Sequence, residues 1–361
     1  MPSVIAAPPV DGLAVAPSLK ATKATKAAAA AAIPTFPPFE YANIFDEPIY
    51  GDWRDDIVTK GYAVIPAMSV EKALSLRDQA HDWIEQFGLG YDRNDPSTFT
   101  VEKLPVHVKG GMYHGYGVGH ADWVWATRTD KGVLDAFSKV WGTHELITSF
   151  DGASVMLPGR KDVHDAGRWP HIDQNPFREG FYCLQGIVNL NYNAENDGGL
   201  MVLEGSNRIM RQHFADTGRT ETRSWGPVDW AGFEPEEEEW FFERGCKWVK
   251  VCAQPGDLIL WDSRTMHMNC VPTGNVDRVN TYVCMAPAKL VSDEDRQRRV
   301  EAFKQFGGTT HVPFKDIFLR SHEPKTRNET GLPDPLDTGI PRNPVDPNDE
   351  TVLKLVGALP Y

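Results

Sequence analysis

Eleven histidines are spread over the 361 residues, and two of them open His-x-Asp triplets: His120-Ala121-Asp122 and His171-Ile172-Asp173. On a β-strand, residues i and i+2 share a face, so such a triplet aims an imidazole and a carboxylate at one point. Two imidazoles and one carboxylate on one face of an octahedron form the donor set of a mononuclear iron site, with three positions left open. A chain of this composition carries roughly one His-x-Asp by chance, so the flanking sequence decides between the two. The third ligand must come from a distant strand brought alongside.

His171 has such a partner. His267 lies 96 residues later, just after LILWD, in a segment that reads as strand, turn, strand. Arg278 follows eleven residues beyond it and opens RVNTYVCMAP. Antiparallel pairing of these two segments through VPTGNVD is expected to bring Arg278 beside His267 inside a barrel. A buried guanidinium is costly without an anion, and a dicarboxylate cosubstrate suits its planar fork. His120 stands instead in GYGVGHADWVW, outside the strand-dense region; His213 and Arg223 lie at comparable spacings, but His213 reads as helical. A structural or pocket-mouth role suits His120 better.

These residues need elements to hold them. GYAVIPA (61–67) reads as a short buried strand. Ser69 then caps a helix that Gly88 stops, and 130–141 reads as a second helix. From about 150, strand-length runs recur between Gly, Pro, Asn and Asp: FDGASVMLPG, FYCLQGIVNLNYN, GGLMVLEGSN, CKWVKVCAQPGD, LILWD and RVNTYVCMAP. With no helices alternating between them, an antiparallel sandwich or barrel is expected. Within 206–246, GSNRIMRQHF suits a helix and the acidic PEEEEW a solvated loop. Ser292 caps a further helix reaching Gln305 and Phe306, with Gly307 as its stop. The Pro- and Asp-rich 321–350 reads as an extended arm, and TVLKLVGALPY as a last short helix.

Composition bounds the rest. The chain is 41% hydrophobic, enough for a large core, and holds 27 Pro and 31 Gly, which imply many turns. No run of 18 apolar residues occurs, so no membrane-spanning helix is expected. A net charge of −13 disfavours nucleic acid as a partner. Five cysteines without a CxxC pair fit a reducing, cytoplasmic setting; mitochondrial and peroxisomal compartments share that property. Residues 1–40 form a low-complexity Ala/Thr/Lys/Pro tail, expected to be disordered; it has no secretory h-region and, lacking Arg, makes a poor transit peptide.

Taken together, WPHIDQNP (169–176), GGLMVLEGSNR (198–208), QPGDLILWDSRTMHMN (254–269) and VDRVNTYV (276–283) resemble the phytanoyl-CoA dioxygenase family of Fe(II)/2-oxoglutarate oxygenases. The resemblance covers about 150–290, with GYAVIP and its helix suiting the family's start. It implies a mainly β fold with flanking helices, a double-stranded β-helix of the jelly-roll or cupin kind. Residues 41–320 would be one oxygenase domain: a helical layer over 55–148, a barrel over 149–290 and a helix over 292–306. It implies His171, Asp173 and His267 as iron ligands and Arg278 as the residue on the far carboxylate of 2-oxoglutarate. Asn269 falls where the family usually has a small hydroxyl residue touching that carboxylate. The implied reaction oxidises a C–H of a small molecule with O2, releasing succinate and CO2. Asp173 is a carboxylate, whereas halogenating members carry a small residue there, so hydroxylation is favoured.

Some positions depart from the pattern or stay open. EGSN replaces the frequent PGSH, with Asn207 for His. Arg264, three before His267, reads as a salt-bridge partner of Asp262 or of the acidic run, or else as a holder of an acidic substrate. Gln174 and Asn175 follow the metal carboxylate, and Gln185, Asn189 and Asn191 alternate along one strand face; each is a pocket or surface amide. Trp123, Trp125, Tyr113 and His114 lie in a Gly-rich stretch that could pack or form a lid. No phosphate-cradling Gly loop is present, so a CoA thioester substrate has no support. A non-oxygenase cupin-like metal protein and an inactive binding module are the alternatives. Arg278 speaks against the first and the intact triad against the second. The identity of the substrate and the oligomeric state are not legible.

Overall fold

The computed structural model describes residues 50–163, 168–178, 180–222, 229–315 and 324–361. The expected tail (1–40) and Arg223 lie outside these residues. The described chain is mainly antiparallel β with flanking helices. Its strands are β1 (Tyr62–Pro66), β2 (Met112–Tyr113), β3 (Leu146–Thr148), β4 (Ala153–Met156), β5 (His171–Ile172), β6 (Leu184–Asn189), β7 (Asp197–Glu204), β8 (Ala231–Gly232), β9 (Lys247–Lys250), β10 (Asp257–Asp262), β11 (His267–Pro272) and β12 (Arg278–Pro287). A hairpin of β13 (Thr326–Arg327) and β14 (Leu332–Pro333) follows.

The strands form two sheets. The larger runs β1-β10-β6-β12-β4-β2, with β3 on the far half of β12; the smaller runs β8-β5-β11-β7-β9. From β4 to β7 the chain changes sheet at every strand, and it does so again from β9 to β12. The apolar inner faces therefore bury against each other: Ile187, Ile259 and Trp261 of the larger sheet pack on Leu200, Val202 and Val251 of the smaller side. Each fully buried side chain of this kind stabilises by about 1.5–3 kcal/mol.

One expectation fails here. The segments of His267 and Arg278 are not hairpin partners. β11 pairs with β5 and β7, whereas β12 pairs with β3, β4 and β6. VPTGNVD instead carries the chain across from one sheet to the other. The amides of Thr273 and Gly274 both donate to the carbonyl of Asn196, which fastens this crossing to the loop before β7. β12 is buried along nearly its whole length, as a central strand covered on both faces must be.

The helices cover the sheets. Gly61, at φ 93°, ends α1 (Arg54–Lys60) and turns the chain into β1. Ser69 accepts from the Lys72 amide and opens α2 (Val70–Glu85). α3 (Asp122–Arg128) and α4 (Lys131–Trp141) follow, the second capped by Asp130 and stopped by Gly142. α4 rests on the larger sheet at Gly186, where a side chain would come within 3.2 Å of Phe137. The expected helical layer over 55–148 is thus interrupted: β1 and β2 lie within it and join the larger sheet at opposite edges.

After β7 come α5 (Ser206–Thr217), α6 (Arg219–Thr222) and α7 (Pro235–Phe242). The acidic run is part of α7, not a solvated loop. Pro235 presets its first turn, and glutamates in that turn complement the helix dipole. Glu238 is buried and accepts from Trp248 Nε1 and Arg168. α8 (Asp293–Lys304) starts at the Ser292 cap, and α9 (Glu350–Val356) ends the fold. The arm between them is less superficial than expected: Asp334 and Asp337 are buried and accept from the hydroxyl and amide of Tyr116. No helix among the described residues is long and apolar enough to cross a membrane.

Candidate metal centre

His171 and His267 stand directly opposite each other where β5 pairs with β11, which brings their rings to 4.2 Å between centroids. Asp173 follows one residue after β5, and its amide donates to the carbonyl of Ser263. Its Oδ2 lies 3.3 Å from His267 Nε2, and its Oδ1 lies 3.7 Å from His171 Nε2. One donor atom from each residue falls within a 4.8 Å group, the spacing of ligands around one ion.

The backbone sets which ring nitrogens are free. His171 Nδ1 is 3.1 Å from the carbonyl of Trp169, and His267 Nδ1 is 2.9 Å from that of Thr265. Each Nδ1–H donates there, so each Nε2 lone pair turns inward. Burial, with the neighbouring His267 ring, lowers the His171 pKa to about 3, keeping it an uncharged ligand. Burial alone would raise Asp173; the rings of His311, His171 and His267 outweigh it and hold the carboxyl well below its usual range. Gln185 Nε2 donates to Asp173 Oδ2 at 2.7 Å, and His311 Nε2 sits 3.0 Å from the Asp173 carbonyl. Two neutral imidazoles and one carboxylate on one side suit a divalent transition ion with open positions on the other.

The triad opens on a cavity of about 220 Å3. Trp169 stacks on His171 at 4.6 Å and 12°, Trp230 lies on the same ring at 6.1 Å, and Trp261 meets His267 edge-on. Gly232 makes room for Trp230: a side chain there would begin 2.6 Å from the indole. His114, Asp151, His311 and Tyr282 add polar groups to the wall.

Of the other sequence candidates, His114, Gln185 and Asn269 reach this wall. Arg278 is buried on β12 of the facing sheet, with Nη1 3.7 Å from Met156 Sδ. Among the described residues no carboxylate forms an ion pair with it.

The remaining candidates are placed elsewhere. Gln174 donates to the carbonyls of Arg178 and Gly180 and accepts from Ser263, clamping a loop. Asn175 accepts from the Phe177 amide in the same loop. Asn189 donates to the carbonyl of Gln254, and Asn191 to Asp277. Arg264 forms a salt bridge at 2.6 Å with the fully buried Asp262, the structural one of its two expected roles. Trp123 and Trp125 are not lid residues: Trp123 is buried near Trp83, and Trp125 packs on Phe150 and Phe303. His120 is fully buried among Trp125, Phe150 and Phe303, and His213 among Phe233, Trp240 and Phe241.

Sequence reasoning missed Trp230, His311, Trp261 and Tyr282. Tyr282 was in reach, because it shares strand parity with Arg278; a lone tryptophan or histidine between motifs carries no such signal.

No protein-family model matches the sequence. The chain is 40% identical over 270 residues to Ava biosynthesis cluster protein O of Aspergillus versicolor, covering 74% of this chain and 87% of that protein. It belongs to that protein's family. Among solved structures, EctD from S. alaskensis with bound Fe covers 68% of this chain and 79% of its own, at 19% identity and TM-score 0.45. The non-haem alpha-ketoglutarate-dependent carbocyclase SnoK from nogalamycin biosynthesis covers 66% and 85%, at 18% identity and TM-score 0.42.

Proposed function

We propose that the chain is an Fe(II)- and 2-oxoglutarate-dependent oxygenase acting on a C–H of a small metabolite, with O2 as oxidant and succinate and CO2 as products. The observation that carries this reading is the convergence of His171 Nε2, Asp173 and His267 Nε2 opposite a sheet that buries Arg278 without an acidic partner among the described residues. The alternation of strands between two antiparallel sheets supports a double-stranded β-helix, in keeping with the phytanoyl-CoA dioxygenase-like motifs. Membership in the family of a biosynthesis cluster protein fits a metabolite substrate.

In this reading His171, Asp173 and His267 hold the iron, and Arg278 takes the far carboxylate of the cosubstrate. When bound, iron with 2-oxoglutarate supplies the oxidising power. Gln185 keeps Asp173 turned toward the ion, and Trp169, Trp230 and Trp261 wall the centre against water. No Lys or Arg is among the described wall residues, which disfavours a CoA thioester or phosphorylated substrate. The five free thiols suit a reducing, cytoplasmic setting.

Anaerobic addition of 2-oxoglutarate to the Fe(II) protein is expected to raise a weak visible charge-transfer band, which His267→Ala abolishes. A metabolite library screened for stimulated succinate release then finds the substrate class. A wild-type protein with neither band nor succinate overturns the reading.

A further inference from the structure

We infer that Trp230 is the platform on which the substrate lies, and that the substrate presents a flat, uncharged or cationic aromatic ring system to it. The inference rests on the oxygenase reading and names the class of molecule its site takes.

The three tryptophans around the ligands differ in what covers them. Trp261 is buried. Trp169 stacks on His171, and the ammonium of Lys109 stands 4.4 Å over its ring. Trp230 remains 49% exposed, although it lines the cavity and its ring lies on His171. A lone exposed tryptophan on a surface is ordinary. One at the mouth of a metal centre offers an open apolar face to whatever enters.

The chain fixes the indole at that place. β5 pairs with β8 as His171 with Gly232 and Ile172 with Ala231, so the register carries Trp230 to the Asp173 end of β5 and leaves Trp169 at the other. With no side chain at Gly232, the indole folds back across that residue. The preceding residue, Asp229, accepts from the amide of Asn175 at 3.0 Å and from Arg178 at 2.5 and 3.0 Å, and both side chains of this ion pair are buried. Trp230 is thus tied to the loop that follows Asp173. A platform set before the ligand arrives spares the cost of ordering it on binding.

Size, shape and charge define the occupant. The cavity of about 220 Å3 is smaller than the roughly 300–1,000 Å3 of pockets that enclose a whole small-molecule ligand, and the cosubstrate takes part of it. A substrate that reaches the metal therefore leaves much of itself at the mouth, against the indole. A flat ring stacked there gains roughly three- to tenfold in affinity beyond the area it buries. The charge of Asp173 is matched by the ion. Asp151, 3.6 Å from His114 Nδ1, adds a second carboxylate to a described wall without Lys or Arg, which disfavours a carboxylate or phosphate on the ring.

The test compares matched probes on the Zn(II) protein with 2-oxoglutarate, titrated by calorimetry: 2-naphthol, which is flat, and 2-decalol, its saturated counterpart. Wild type is expected to bind 2-naphthol about threefold or more tightly than 2-decalol. Trp230→Leu loses that preference and Trp230→Phe retains most of it, with Zn(II) and 2-oxoglutarate affinity and melting temperature little changed. With Co(II) in place of Zn(II), the proton resonances of 2-naphthol broaden, which puts the ring beside the metal. Equal binding of the two probes by wild type, a preference that survives Trp230→Leu, or no broadening overturns the inference. So does a loss of Zn(II) affinity in both variants alike, which marks Trp230 as structural. A wild-type protein that does not bind 2-oxoglutarate sinks the oxygenase reading itself, a result distinct from the probe comparison, which the Zn(II) protein still yields.

Discussion

Each ligand imidazole commits one nitrogen to a backbone carbonyl, and Asp173 commits one oxygen to Gln185. The donor set is thus aimed before any ion arrives. Gln185→Leu leaves all three ligands in place but frees the carboxylate to rotate. It is expected to lower divalent-metal affinity about 10- to 100-fold with little change in melting temperature, as read by Co(II) or Zn(II) titration. The three ligands were legible in the sequence because few residue types bind iron and because strand parity makes His-x-Asp a directed pair. The neighbouring amides were not. Gln174, Gln185 and Asn189 look alike in sequence, and only the third dimension decides which faces an oxygen of Asp173 and which faces a loop carbonyl.

At the scale of elements, α5 and α7 close over a cluster of Phe233, Trp240 and Phe241 with His213 at its centre. Neither His213 nitrogen has a hydrogen-bond partner among the described residues, and burial lowers its pKa to about 4. Unfolded, the same ring titrates near 6.5, so below that pH the unfolded chain binds a proton that the folded chain refuses. Stability is therefore expected to fall as pH drops from about 6.5 to about 4. His213→Met should flatten that part of a melting-temperature profile; an unchanged slope would place the acid sensitivity elsewhere. Helices with an explicit cap and stop, such as α2 and α4, were readable from sequence. α7 was not, because PEEEEW has the composition of a solvated loop, and its helical state depends on Trp248 and Arg168 meeting Glu238 from elsewhere in the chain.

For the whole molecule, the metal ligands lie on or beside the smaller sheet and Arg278 lies on the larger, so a cosubstrate touching both would brace the two. Local patterning could not show this division. VPTGNVD has hairpin composition, and whether it joins neighbours or crosses between layers depends on strands far away in sequence. Arg299 binds the distal elements together: fully buried on α8, it donates to the carbonyls of Thr148, Pro313, Leu355 and Val356. Arg299→Met keeps the volume and strands those acceptors. It is expected to cost roughly 2–5 kcal/mol, read as a lower urea midpoint. The indole of Trp169, stacked on a ligand imidazole, has one more consequence. A coloured or paramagnetic ion so near drains the excited state of that ring before it can emit. Loading and loss of iron therefore write themselves into the intrinsic ultraviolet fluorescence, and the protein carries an unlabelled optical gauge of its own occupancy.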